Sequence, residues 1–186
     1  MDTNTLLMIG IAVVVVLAVA FVVWRSQQSK GLKSRFGPEY DRTVEEAGGK
    51  RKAEAQLHTL EKRVEGFSVH PLTAGEATRF SAAWTSIQSE FVDNPKMAVG
   101  HADTLLGEVM SARGYPVTDF DQRSADLSVD HPVVVQNYRT AHDIAVRHER
   151  GDAGTEDLRQ AMIHYRALFD DLVSQPPATE RMRAAH

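Results

Sequence analysis

From Leu6 to Trp24 the chain reads LLMIGIAVVVVLAVAFVVW, 19 residues without a charge and with only the Trp24 indole able to hydrogen-bond. Beyond it, apolar residues return at helical spacing, separated by polar and charged positions. As a helix the first stretch is about 28 Å long, close to the ~30 Å hydrocarbon core of a bilayer. A secretory signal peptide is the competing reading, with Ala18-Val19-Ala20 resembling a cleavage site. Residues 1–5 hold no Lys or Arg, however, and Phe21-Val22-Val23-Trp24 carry the apolar run past that site. A buried core helix is a third reading, but such a helix keeps a polar face and this stretch has none. We therefore expect a retained transmembrane helix over 6–24 as the anchor of segment 1–24.

Segment 25–36 (RSQQSKGLKSRF) reads as a polar, basic juxtamembrane linker, and Gly37-Pro38 ends it. Glu39 to Ala47 is expected to be a short helix that stops or bends at Gly48-Gly49. Lys50 to Glu65 is expected to be helical, with Ala53, Leu57, Leu60, Val64 and Phe67 spaced 4, 3, 4 and 3. That seam is narrow. It suits an arm over 37–66 that docks loosely on the rest or pairs with its equivalent in a second copy; an ordinary first bundle helix is the alternative.

Residues 67–175 are expected to form a helical bundle. Thr73 and Glu76 fit a capping box, and the helix behind them lines up Ala77, Phe80, Trp84, Ile87 and Phe91. Asn94-Pro95 starts a helix with Val99, Ala102, Leu105, Leu106, Val109 and Met110 inward, and Arg113-Gly114-Tyr115-Pro116 stops it. A short helix is expected over Asp119 to Leu127. A turn over Ser128 to Pro132, with Asp130 as N-cap, then opens a helix to about His148. Thr155 is expected to cap the last helix, which Pro176-Pro177 stops. Residues 176–186 read as a disordered tail. No stretch alternates with period two over a strand's length, so the fold class is all-α: one transmembrane helix followed by a multi-helix bundle.

Charge sets the orientation. Asp2 alone precedes the span, whereas Arg25, Lys30, Lys33 and Arg35 follow it with no acid among residues 25–35. The positive-inside rule puts that side in the cytoplasm and the N-terminus outside, with Trp24, Arg25, Lys30, Lys33 and Arg35 at the membrane interface. The basic residues suit anionic headgroups and serve equally as topology determinants alone. Residues 25–66 carry 10 basic and 7 acidic side chains, and residues 101–175 carry 7 basic and 13 acidic. The acidic distal half disfavours nucleic acid as a partner. Zero cysteines exclude disulfides, thiolate nucleophiles and cysteine–zinc sites, and agree with a reducing compartment.

Several stretches carry a resemblance: RFGPEYDR at 35–42, RGYP at 113–116, ADLSVDHP at 125–132, NYR at 137–139 with His142, and DLRQAM at 157–162 with HYR at 164–166. Together they resemble a widespread bacterial family of single-span helical proteins, often described as secreted, over most of residues 35–173. The resemblance implies the helical architecture and no catalytic residue. A secreted location is at odds with the charge asymmetry around the span.

Signatures of chemistry are sparse. There is no phosphate-binding glycine loop, no HExxH and no GxSxG. Tyr138, Arg139 and His142 on one helix and His164 and Tyr165 on the next suggest a ligand-binding surface, or hydrogen-bonded packing groups at a core margin. Two histidines without a carboxylate fall short of a metal ligand set, so no metal or cofactor is expected. Asp119, Asp121, Asp126 and Asp130 lack EF-hand spacing. Arg123, Arg139, Arg147, Arg159 and Arg166 suit either an anionic ligand or pairing with neighbouring carboxylates. Two functions follow: a non-enzymatic scaffold or adaptor at the inner membrane face, with the lipid bilayer and a protein partner, or self through residues 50–66; and, as the alternative, a ligand-binding or enzymatic domain using the His/Tyr/Arg surface.

Overall fold

The computed structural model describes residues 16, 17, 19, 20, 27, 29–116 and 118–174. Apart from residues 16, 17, 19 and 20, the expected span lies outside the described residues, as does the 176–186 tail. Among the described residues no helix is long and apolar enough to cross a membrane. They contain helices and no strand. The chain divides into two compact units, Met1–Leu57 and His58–His186.

In the first unit, residues 29–36, expected as linker, are helical. The reason lies in Leu32, Phe36 and Tyr40, spaced four apart and all buried. Helix α1, Pro38–Ala47, starts with its proline in the first turn and ends in a Schellman motif. In that motif the Gly48 and Gly49 N–H groups donate to the Glu45 and Val44 carbonyls at 3.2 and 3.1 Å. Helix α2, Lys50–Glu65, follows at the bounds read from its spacing. Glu54 ties the unit together, accepting from the Ser29 hydroxyl at 2.5 Å and the Tyr40 hydroxyl at 3.0 Å. Along the α2 seam, Ala53, Leu57 and Val64 are buried and Leu60 is half-buried in the single chain. A second copy reaching this seam would first have to displace the chain's own cover.

The second unit takes the last residues of α2 and five further helices: α3 (Ala74–Asp93), α4 (Pro95–Ala112), α5 (Phe120–Asp130), α6 (Val135–Glu149) and α7 (Thr155–Ser174). Helices α4 and α7 pack together at the centre, with α3 against α4 and α6 against α7. Their core joins Leu105, Leu106 and Val109 of α4 to Leu158, Leu168 and Leu172 of α7. Trp84 of α3 stacks on Phe169, with ring centroids 4.8 Å apart. The short α5 covers the α6 side and is tied to the end of α2, where Arg63 Nε donates to Asp126 at 3.0 Å.

Three boundaries differ from expectation. Helix α5 runs on to Asp130, because Asp130 is buried and accepts from the Tyr115 hydroxyl at 3.0 Å. It therefore does not cap α6, whose N-cap is Val134, without a side-chain cap bond. Thr155 is already helical, and the Gly154 N–H donates to Asp157 at 2.8 Å instead.

The RGYP stretch does more than stop α4. Arg113 is fully buried, and its Nη1 donates to the Leu172 carbonyl in the last turn of α7 at 2.5 Å. Gly114 has φ +91, and a Cβ there would stand 2.3 Å from the Ser68 carbonyl oxygen. Only glycine lets the connector ahead of α3 pass this close. The connector is fixed there by the His70 N–H donating to the Arg113 carbonyl at 2.9 Å.

The capping box forms as expected. The Thr73 hydroxyl accepts from the Glu76 N–H at 3.3 Å and the Glu76 carboxylate from the Thr73 N–H at 2.9 Å. These Thr73 hydrogen bonds hold Glu76 below the ordinary 4.5. A group held down in this way adds stability above its ordinary value and loses it as pH falls. Thr73→Ala and Glu76→Ala are therefore expected to lower the melting temperature by a few degrees at neutral pH. The Glu76→Ala deficit should shrink as pH drops below the carboxylate range; a pH-independent deficit in calorimetry would show that the ionised carboxylate contributes nothing.

Candidate functional site

The five residues singled out on the last two helices do not converge. Tyr138 and Tyr165 are fully buried in the core, with ring centroids 6.0 Å apart. His142 stacks on Phe120 at 3.6 Å, and Phe120 lies 4.9 Å from Tyr138, so the rings form a ladder ending at a half-buried histidine. His164 faces elsewhere, with Nδ1 2.9 Å from Asn137 Oδ1. Arg139 is half-buried on α6. The cause is angular: residues 137 and 142 on α6 are five apart, which separates their directions by about 140° on a 3.6-residue helix.

Of the interface residues Trp24, Arg25, Lys30, Lys33 and Arg35, the first two lie outside the described residues. Lys30 is exposed, and Lys33 pairs with Asp41 at 3.0 Å.

The acidic cluster disperses likewise. Asp119 caps α5 by accepting from the Gln122 N–H at 2.9 Å, Asp126 holds Arg63, and Asp130 takes the Tyr115 hydroxyl. Among the described residues no three His, Asp or Glu side chains are grouped to hold a metal ion. Arg147, Arg159 and Arg166 pair within their own helices with Asp143, Glu156 and Asp170.

Two residues of another kind surround the buried tyrosines. Asp103 of α4 raises the affinity of both tyrosine hydroxyls for their protons, after burial itself, and Arg123 of α5 lies over the Tyr138 ring at 5.6 Å. Asp103 and Arg123 pair at 3.5 Å, a long contact for a guanidinium and a carboxylate. The guanidinium lies close over α4 at Gly107, where a Cβ would stand 2.9 Å from Arg123 Nη1. A mid-helix glycine costs about 0.5–1 kcal/mol against alanine, and here a guanidinium crosses the helix surface beside it.

Arg123, Asp103 and Gly107 form one wall of an open cleft of about 670 Å³, completed by Arg79 and Phe80 of α3, Ser111 of α4 and Pro116. That volume lies within the range of ligand sites. Arg79 rests 4.5 Å above the Phe80 ring. With Glu108 on the rim, the lining holds two guanidinium and two carboxylate groups. Its charges balance, so what the lining presents is their placement rather than a net charge. Asp103 was invisible in the sequence because, like Glu108, it is an ordinary acid on the polar side of an amphipathic helix. Arg123 was among the arginines suited to an anionic ligand or to pairing, and Gly107, like Gly100, stood out as a glycine inside a helical pattern.

A second polar group joins the ends of α4, α5 and α7. It comprises Arg113, Tyr115 with Asp130, and His131, whose fully buried side chain bonds Asp171. Burial, and then Asp130, push the Tyr115 hydroxyl well above its usual 10. Buried tyrosines held protonated supply neither a base nor a nucleophile at neutral pH.

All four tyrosines of the chain are raised above 10, with burial the main cause. The folded state then keeps protons that the unfolded chain releases, so stability is full below pH 10 and falls as pH rises beyond it. Tyrosinate absorbance is expected to appear in one cooperative step together with loss of the helical circular dichroism. Gradual ionisation near pH 10 in a still-helical protein would contradict the buried placement.

No family model, curated protein or solved structure matches this chain.

Proposed function

We propose that this chain is a single-span bacterial inner-membrane protein, N-terminus outside, that holds a non-enzymatic helical interaction module in the cytoplasm. We further propose that the module receives a carboxylate-bearing segment of a protein partner in the Arg79–Arg123 cleft. The observation that carries the reading is Arg123, laid across Gly107 toward an open cleft and held there by Asp103 and the Tyr138 ring. A guanidinium fixed before binding loses little rotamer freedom when a carboxylate arrives. The alternative site on the last two helices has less support, since its tyrosines are core residues and its histidines face apart. The membrane-anchored part of the reading rests on the uncharged 6–24 stretch and the basic residues behind it.

A photo-crosslinking side chain at the exposed Ser111 of the full chain in cells should yield one repeatable adduct, and one at Val92, 81% exposed toward the far end of α3, should not. Arg123→Gln should cut the Ser111 adduct about tenfold or more, as expected for loss of a charge-assisted bond. An adduct unmoved by that substitution, or none that repeats, would remove the cleft from the account.

Topology is tested separately. The chain has no cysteine, so Thr3→Cys and Ala184→Cys report cleanly. On intact cells a membrane-impermeant thiol reagent should label position 3 and spare position 184. Labelling at 184 alone would reverse the orientation.

A further inference from the structure

We infer that the first turn of α2, Lys50-Arg51-Lys52, is a second lipid-headgroup contact that holds the first unit against an anionic bilayer surface. This rests on the anchor proposed above. All three side chains are exposed. Among the described residues none of them forms an ion pair or a side-chain hydrogen bond. They also stand where a helix least favours cations. The N-terminus of a helix carries a partial positive charge; α1, α3, α5 and α7 each place an acid in their first turn, α2, α4 and α6 do not, and α2 begins with three consecutive cations. A row of cations kept against the local field suits an anion supplied from outside.

The fold says which anion lies within reach. Glu54, one turn beyond Lys50, accepts the Ser29 hydroxyl at 2.5 Å. Ser29 stands five residues from Trp24, so the covalent chain alone keeps it within about 18 Å of the indole. The start of α2 is thereby tethered near the interface, although it lies some 25 residues past the span in sequence. Lys33 is already engaged by Asp41, but the exposed Lys30 joins the set. With Lys30 the exposed cations number four, within the range that binds anionic lipid beside a span. The acidic distal half turns a nucleic acid away.

The test uses the full chain in vesicles that contain a nickel-chelating lipid, with a spin label on Gln56→Cys, which is exposed one turn beyond Lys52. In phosphatidylcholine with added phosphatidylglycerol, nickel should enhance relaxation of this label several-fold over phosphatidylcholine alone. The gain should vanish in high salt and in the Lys50→Gln/Arg51→Gln/Lys52→Gln variant. A label at Val92→Cys should show no such gain. Equal relaxation in both lipids, or a gain that survives the triple substitution, overturns the headgroup contact while the anchor stands. Release of the protein by alkaline carbonate overturns the anchor and, with it, this contact.

Discussion

The second unit depends on a buried guanidinium. Arg113 is fully enclosed at the end of α4 and gives a hydrogen bond to the Leu172 carbonyl near the end of α7. Carbonyls of a last helical turn have no partner within the helix. One from the central helix of a bundle must find a donor or pay for its desolvation. A buried cation faces the same demand, more severely. Each satisfies part of the other's need, and the bond joins the two central helices at one end. Around it Tyr115 reaches Asp130 and His131 reaches Asp171, so α4, α5 and α7 finish in one polar group.

The same logic recurs elsewhere. Glu39, nearly fully buried in the first unit, is held by Arg42 through contacts of 3.0 and 3.1 Å. Glu54 takes two hydroxyls there. Asp126, enclosed in the second unit, takes Arg63 and Gln122. Removing one partner from such a pair leaves the other stranded, which costs more than the pair is worth when intact. These contacts select one packing among the many that apolar faces alone would allow. The Asp103–Arg123 pair is the looser member of the set, at 3.5 Å, and it is the one beside an open cleft. A contact left short of its best geometry at a surface is where a ligand group gains most.

Two surfaces of opposite purpose thus emerge. In the first unit, an uncompensated basic turn is held through Glu54 close in the chain to the apolar stretch. In the second, a mixed-charge cleft is built on a closed core whose tyrosines are locked protonated. The first suits a broad anionic surface, on which position matters little. The second suits a defined partner, on which the placement of each charge matters. The anchored adaptor proposed here would use both.

Periodicity and local capping determined most of the helices, residues 29–36 excepted. The spacing of Ala53, Leu57 and Leu60, the Thr73–Glu76 box, and the Asn94-Pro95 junction all act within a few residues, so their outcome is local. The capping box is a case in which two residues and four backbone atoms decide the whole result. What the sequence could not decide was which polar residues turn inward. Tyr138, His142, His164 and Tyr165 share helical spacing that is compatible with one site, but packing sent two into the core and the others to separate neighbours. Asp130 read as a cap because local geometry favours it there, yet Tyr115, fifteen residues earlier, claimed it. Arg113 read as a charge at a helix end, and only the distant Leu172 carbonyl explains its burial. Local hydrogen bonds and hydrophobic spacing are written within a turn or two of chain. A buried polar group is satisfied by whichever partner the folded chain brings to it, and that partner is set by tertiary packing.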